Sequence, residues 1–433
     1  MALTRALYSG ASGIDTYGKA MNIIGDNIAN VNTTGFKATR PVFFDMLSAE
    51  IGGIKVGTGS RMAEANRLFL QGGIQNTNSP TDLAIQGDGF FVLKDGQGQN
   101  FYSRAGEFTV DKNGNFVNPG GLKVQGFQLD GNGNPISGLT DIVINTQLVI
   151  PPDETAKVNL VTNLDATESV LLATLPADVL GTEDTPGNWF AGANFTTVMT
   201  IYDSLGQSHD LTFVFGKDAA ANQWEYRVLA NAGEVTGGTA GELRQVSAAG
   251  GLLEFNPDGT LNTGGATSIT QIGSIAWANG ASAQTIAAAD VNFTGSTQFA
   301  APSQVSVLSQ NGSPSGSLSG IDIGTDGVIR GVFSSNRMQT LYRLALASFA
   351  GPEELTHEGN SLFSESTNSG QPLIGGAQDG GFGTVLSGSV ELSNVDLATE
   401  FVKMVTTQRA FQASARTITV TDGLFEEVAN LKR

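Results

Sequence analysis

The only imidazoles in the chain are His209 and His357, and neither has a His, Asp or Glu partner at a spacing that holds zinc. Both read as surface or loop residues. The run Asp130-Gly-Asn132-Gly-Asn134-Pro135, followed by Asp141, places oxygens at the alternating positions of a calcium loop. Pro135 stands where that loop needs a glycine, and no glutamate closes it, so a hairpin turn is the expected structure. Gly87-Asp-Gly89 lacks the third glycine and the following helix of a dinucleotide site. No serine lies in a nucleophile elbow, and the chain has no cysteine to supply a thiolate, a metal ligand or a disulfide. These residues form no catalytic constellation, no metal site and no cofactor site. The expected protein is not an enzyme.

The periodic pattern lies at the two ends. Leu3, Leu7, Ile14, Tyr17, Met21, Ile24, Ile28 and Val31 follow a 4-3-4-3 spacing, with Gly10 in the one vacant slot. Leu397, Phe401, Met404, Phe411, Ala415, Ile418, Phe425 and Ala429 repeat it, with Gln408 and Asp422 as polar interruptions. A heptad sustained this long marks helices that bury a narrow apolar seam. Such a stripe is most often the core face of an ordinary amphipathic helix. Here both helices are terminal, charge-balanced and strictly heptad, which favours assembly. Whether the partner seam lies in the same chain or in a neighbour is left open. Gly10, Gly13 and Gly18 each cost about 1 kcal/mol relative to Ala in an exposed helix, so the first helix is expected to order only when packed.

The 433 residues carry a net charge of −18. Acid and base cancel in residues 1–35 (Arg5 and Lys19 against Asp15 and Asp26) and again in residues 395–433. The negative charge therefore belongs to the middle, which disfavours nucleic acid and anionic membranes as partners. No segment is apolar enough for membrane insertion, and the N-terminus does not resemble a cleaved signal peptide.

Between the end helices the pattern is β. Phe90–Lys94, Phe108–Asp111 and Lys123–Leu129 run into Asp95-Gly96, Asn113-Gly114 and Asp130-Gly131, read as two-residue hairpin turns. Pro151-Pro152 marks a boundary, and Trp189, Trp224 and Trp277 all lie beyond it. Thr197–Tyr202 and Asp210–Phe215 form the best hairpin there, while 233–252 and 278–290 read as surface loops. The last helix is expected from about Ser393, with Asp396 placed to cap it. The fold class is thus mixed: mainly β domains nested between N- and C-terminal α-helices that pair as a coiled coil. The expected division is 1–35 with 395–433 as the helical domain, 36–80 as a linker, 81–150 with 301–394 as a discontinuous β domain, and 151–300 as an outer β domain.

Gly25-Asp-Asn27-Ile-Ala-Asn30-Val-Asn32-Thr-Thr-Gly35-Phe36-Lys37 resembles the signature of the bacterial flagellar rod and hook family of axial proteins, with Asp26 where Asn is more usual. Thr81–Phe91, Ser103–Phe108, Ser393–Phe401 and Gln408–Gln412 resemble further blocks of that family. Ile201-Tyr-Asp-Ser-Leu-Gly206, followed by His209 and Leu211, is similar to the outer domain of its hook members. The resemblance implies a structural subunit of the hook, a curved helical homopolymer that transmits torque as a universal joint in motility. It implies the distal rod, the hook cap and the hook–filament junction proteins as neighbours. It also implies type III export without a cleaved signal, and an extracellular place in the flagellum. A distal rod or junction protein of the same family is the alternative; the long insert disfavours the first, and the chain is short for the second. A secreted β-rich binding protein or glycan-active enzyme would need a pocket of clustered acids or aromatics.

Overall fold

The computed structural model describes residues 2–51, 54–131, 133–171 and 175–430. Helix α1 runs Ala2–Ala29, and strands β1 (Thr39–Ile51) and β2 (Ile54–Arg67) follow it as one long antiparallel hairpin. A short helix, α2, covers Pro186–Ala191, and α3 covers Leu397–Asn430. Two compact units divide the chain.

The first unit holds Met1–Thr146, Gly320–Val332 and Met338–Arg433. In its sheet Met338–Ser348 pairs antiparallel with Val328–Phe333, with Lys123–Leu129 and with Phe90–Lys94. Strand Phe90–Lys94 pairs in turn with Asn100–Ser103. Phe90, Val92, Tyr102, Ala345, Ala347, Phe349 and Phe363 form its buried aromatic core. They come from both sides of the insert, so this core forms only when the chain has left and returned.

The second unit holds Gln147–Ser319 and Phe333–Arg337. A six-stranded sheet is built around Phe195–Tyr202, Ser208–Lys217 and Gln223–Asn231, the first two being the hairpin expected from sequence. Its core takes in Leu211, Phe213, Phe215, Trp224, Tyr226 and Trp277. Trp189 lies apart, in a smaller cluster with Val214 and Leu229. The unit reaches further than 151–300, because Gln304–Gln310 pairs with Val158–Asn163 and Val149–Ile150 pairs with Gly316–Ser317.

Three local expectations differ from the structure. Residues 36–80, expected as a linker, are mostly the β1–β2 hairpin. Phe43-Phe44 breaks the period-two alternation that would have marked a strand, and the glycines read as breakers. The Gly/Ala/Thr-rich stretches contain short strands at Leu243–Gln245, Gly251–Glu254 and Gln284–Ile286. The turns are not two-residue loops with two left-handed positions. In Asp95–Gly98 and Asp111–Gly114 only the fourth residue is left-handed, at φ +93° and +84°, and Gly133 stands at +86° after Asp130. The leading carboxylate accepts the backbone N–H four residues on, at 2.8 Å in each case, closing a longer loop with a glycine bulge.

Candidate assembly interface

Helices α1 and α3 pack antiparallel within the chain: Gly10 lies against Ser414 and Ile418, Gly18 against Phe411, and Asn27 against Glu400. The chain therefore supplies one partner seam itself. A Cβ on Gly10 would lie 2.8 Å from Ile418 Cγ1 and 3.2 Å from the Ser414 carbonyl oxygen. The vacant heptad slot is a point of close helix approach, where a side chain has no room. The glycines that weaken an isolated helix are used here as contact surface.

The hairpin covers a second face of α1. Thr16 Oγ1 donates to Ser60 O at 3.0 Å, and Ser60 N donates to Ser12 Oγ at 3.3 Å. Tyr17 meets Phe43 with ring centroids 6.2 Å apart. The α1 positions buried by these two neighbours are Gly10, Gly13, Thr16, Ala20, Ile24 and Asn27. Of the heptad residues, Ile24 is buried, while Leu7, Ile14, Tyr17, Met21, Ile28 and Val31 are half-buried. On α3, Met404, Phe411, Ala415, Ile418 and Phe425 are half-buried, and Leu397 and Phe401 are exposed. The side chains of Leu3 and Ala429 lie outside the described residues.

The α3 surface has two apolar stripes at i, i+4 spacing. Leu397, Phe401 and Val405 form one; Val420, Leu424 and Val428 form the other, and all six are exposed. Phe401 is 52% exposed and Val428 53%. Fully burying such a side chain is worth roughly 1.5–3 kcal/mol, and with about half of each exposed, covering it contributes roughly half of that, so six together make a substantial association surface. Asp396 caps α3 by accepting the Thr399 N–H at 2.7 Å, which holds its carboxyl below the ordinary range. The helix itself starts at Leu397, not Ser393.

The segment after α1 reverses the chain. Asn27 Oδ1 accepts the Thr39 N–H at 2.9 Å, and its Nδ2 donates to Thr39 O at 2.8 Å. Asn30 closes the last turn by donating to Asp26 O at 2.9 Å, and Thr33 donates to Asn30 Oδ1 at 3.1 Å. Asn32 is exposed. Gly35 sits at φ +67°, and a Cβ there would lie 2.7 Å from Ala105 Cα, so glycine is required twice over. Phe36 is buried beside it.

Four family descriptions match in chain order. They are flagella basal body rod protein (residues 7–37), flagellar hook protein FlgE/F/G D1 domain (84–163), flagellar basal body protein FlaE D2 domain (163–313), and flagellar basal body rod FlgEFG protein C-terminal (386–431). The flagellar hook protein FlgE of Borreliella burgdorferi is 34% identical over 99% of this chain and 100% of its own length. The chain belongs to the flagellar hook protein family. FlgE of Treponema pallidum is 34% identical and that of Escherichia coli 32%, each over 100% of both chains.

Within this family member, two polar clusters escaped the sequence reading. His209, expected at the surface, is buried on a strand and stacks on Trp277 with centroids 3.6 Å apart and planes 6° from parallel. Its Nδ1 meets Glu234 Oε2 at 2.6 Å, and its Nε2 meets Asp203 Oδ2 at 3.1 Å. The acids come from a turn at Asp203 and from the 3-10 helix Ala232–Glu234, 6 and 25 residues away, a relation no fixed spacing would reveal. His357 is exposed, as expected. The calcium-like run is a turn: Asp130 binds its own loop, and Asp141 pairs with Lys123 at 2.8 Å. The second cluster is Lys37, Arg104 and Glu391, buried in the first unit, with Lys37 Nζ 2.6 Å from Glu391 Oε1.

Proposed function

We propose that this hook-family chain is the subunit of a curved helical tube, the flagellar hook, which transmits motor torque to the filament as a universal joint. The observation that carries this reading is the pair of uncovered apolar stripes on α3, beside a heptad seam that its own α1 only half covers. Apolar surface of this extent is stable in water when other copies cover it. The heptad residues of both helices are the proposed assembly seam. The helical ends are the proposed inner wall, the hairpin a brace on α1, and the acidic second unit the outer surface. Weak polar outer contacts would let subunits slide as a bent tube turns. Its proposed neighbours are further copies of itself, the distal rod, the hook cap and the junction proteins. It would reach the outside through the flagellar type III apparatus.

One cleft offers little to the other class of function. A cavity of about 600 Å³ lined by Thr33, Glu107, Asn118 and Asn360, among others, has one acid and no aromatic side chain. The test is electron microscopy of the purified full-length chain with Phe401→Asp and Leu424→Asp beside it. Both residues are exposed in the single chain, so each variant should fold. Curved tubes from the parent, and none from the variants, are expected; straight rods, or tubes from the variants, would refute the reading.

A further inference from the structure

Lys37 lies just after the turn that ends α1, and Glu391 and Asn394 lie on the segment that leads into α3. The Lys37 side chain is fully buried, and its Nζ donates to Glu391 Oε1 at 2.6 Å and to Leu70 O at 2.8 Å. Asn394 Nδ2 donates to the same Leu70 O at 3.1 Å and to Leu68 O at 2.8 Å. The amine and the carboxamide are therefore neighbours on one carbonyl oxygen. Asn394 Oδ1 accepts the Ala38 N–H at 2.7 Å, a donor placed where an oxyanion would form. Glu391 Oε1 also accepts the Gly72 N–H at 2.8 Å, while Oε2 has no hydrogen-bond partner. Arg104 Nη1 stands 3.6 Å from that free oxygen.

We propose that Lys37 and Asn394 are joined by an intramolecular isopeptide bond, with Glu391 as the proton shuttle. Glu391 takes a proton from the Lys37 ammonium, and the free amine attacks Asn394 Cγ. The Ala38 N–H stabilises the oxyanion, the attacking nitrogen gives its second proton to Nδ2, and the C–Nδ2 bond breaks as Glu391 returns the first, so that the leaving group departs as ammonium. The balance is one lysine ammonium and one carboxamide giving one secondary amide and one ammonium ion. No oxidant or other reactant enters. Burial acts in the same direction, lowering the Lys37 pKa against the pull of Glu391 and so favouring the nucleophilic free amine. The backbones are already held together, since Asn394 N donates to Phe36 O at 3.4 Å. The bond would tie the base of α1 to the base of α3. Force on either helix would then pass to the base of the other through a covalent link instead of hydrogen bonds and a buried ion pair alone.

The inference does not depend on the hook reading, and its test is a mass. The intact full-length chain should be lighter than its sequence by one ammonia, and digestion should yield a branched peptide joining Lys37 to Asn394. Glu391→Gln keeps the side-chain shape and should restore the full mass. A parent of full sequence mass, with the two residues in separate linear peptides, would leave only a buried ion pair and overturn the proposal. So would a loss of ammonia that persists in Lys37→Arg, since that is ring closure at an asparagine elsewhere.

Discussion

Asn27 and Glu400 are 373 residues apart in sequence, and in the folded chain Asn27 Nδ2 donates to Glu400 Oε2 at 3.2 Å. The same asparagine holds both backbone groups of Thr39, so one side chain joins α1, α3 and the hairpin. Asn27→Ala leaves the Thr39 groups and a buried carboxylate short of partners. An unsatisfied buried group costs about 1–3 kcal/mol, so this variant should lose about 2 kcal/mol or more. Denaturant unfolding of the full chain checks this, and an unchanged midpoint would show that water replaces the asparagine at no cost.

Gly10 and Gly25 occupy the same helix in opposite environments. A Cβ on Gly10 meets Ile418 and the Ser414 carbonyl, whereas one on Gly25 meets nothing within 4 Å. Gly25→Ala should stabilise α1 by about 1 kcal/mol through helix propensity alone. Gly10→Ala should destabilise the chain, because backbone on the facing helix cannot yield as a side-chain tip can. Equal shifts in the thermal midpoint for the two variants would contradict the close packing.

Asp203 gives the second unit a sensitivity to acid. Burial acts to raise its pKa, but hydrogen bonds from Asn279, His209 and the N–H groups of Gln207 and Leu205 outweigh this and hold it below 3.8. A carboxyl depressed on folding contributes stability above its ordinary range, and that stability is lost as pH falls through the folded value. The unit should therefore weaken in strong acid, as the pH falls below the ordinary carboxylate range. Asp203→Asn should lower the midpoint at neutral pH and make the acid loss shallower. Tryptophan fluorescence during thermal unfolding is the readout, since all three tryptophans lie in this unit, and parallel pH profiles would count against the assignment.

Ile150 and Gly316 are register partners on adjacent strands. Removing residues 151–315 and joining them by a short glycine linker should leave the first unit folded, because its Phe90–Tyr102–Phe363 core lies outside the cut. The shortened chain should still polymerise, though into straight or weak tubes. Loss of cooperative unfolding in the remaining unit would show that it depends on the insert.

What the amino-acid order determined by itself is what depends on local spacing. The terminal heptads, the Asp396 cap, the strands Phe90–Lys94 and Lys123–Leu129 and the tryptophan-rich middle were all legible, because period and capping are properties of neighbouring residues. The block Asn27–Lys37 was legible as a likeness, though not as geometry. The tertiary structure decided which faces meet. A heptad names a stripe without naming its partner, so only the fold could place Gly10 on Ile418, or lay the hairpin along Ser12 and Thr16. Only the fold could bury His209 between Asp203 and Glu234, or bring Lys37 to Glu391. Those contacts join residues from distant parts of the chain, and their energies come from desolvation and shape, which no single segment carries alone.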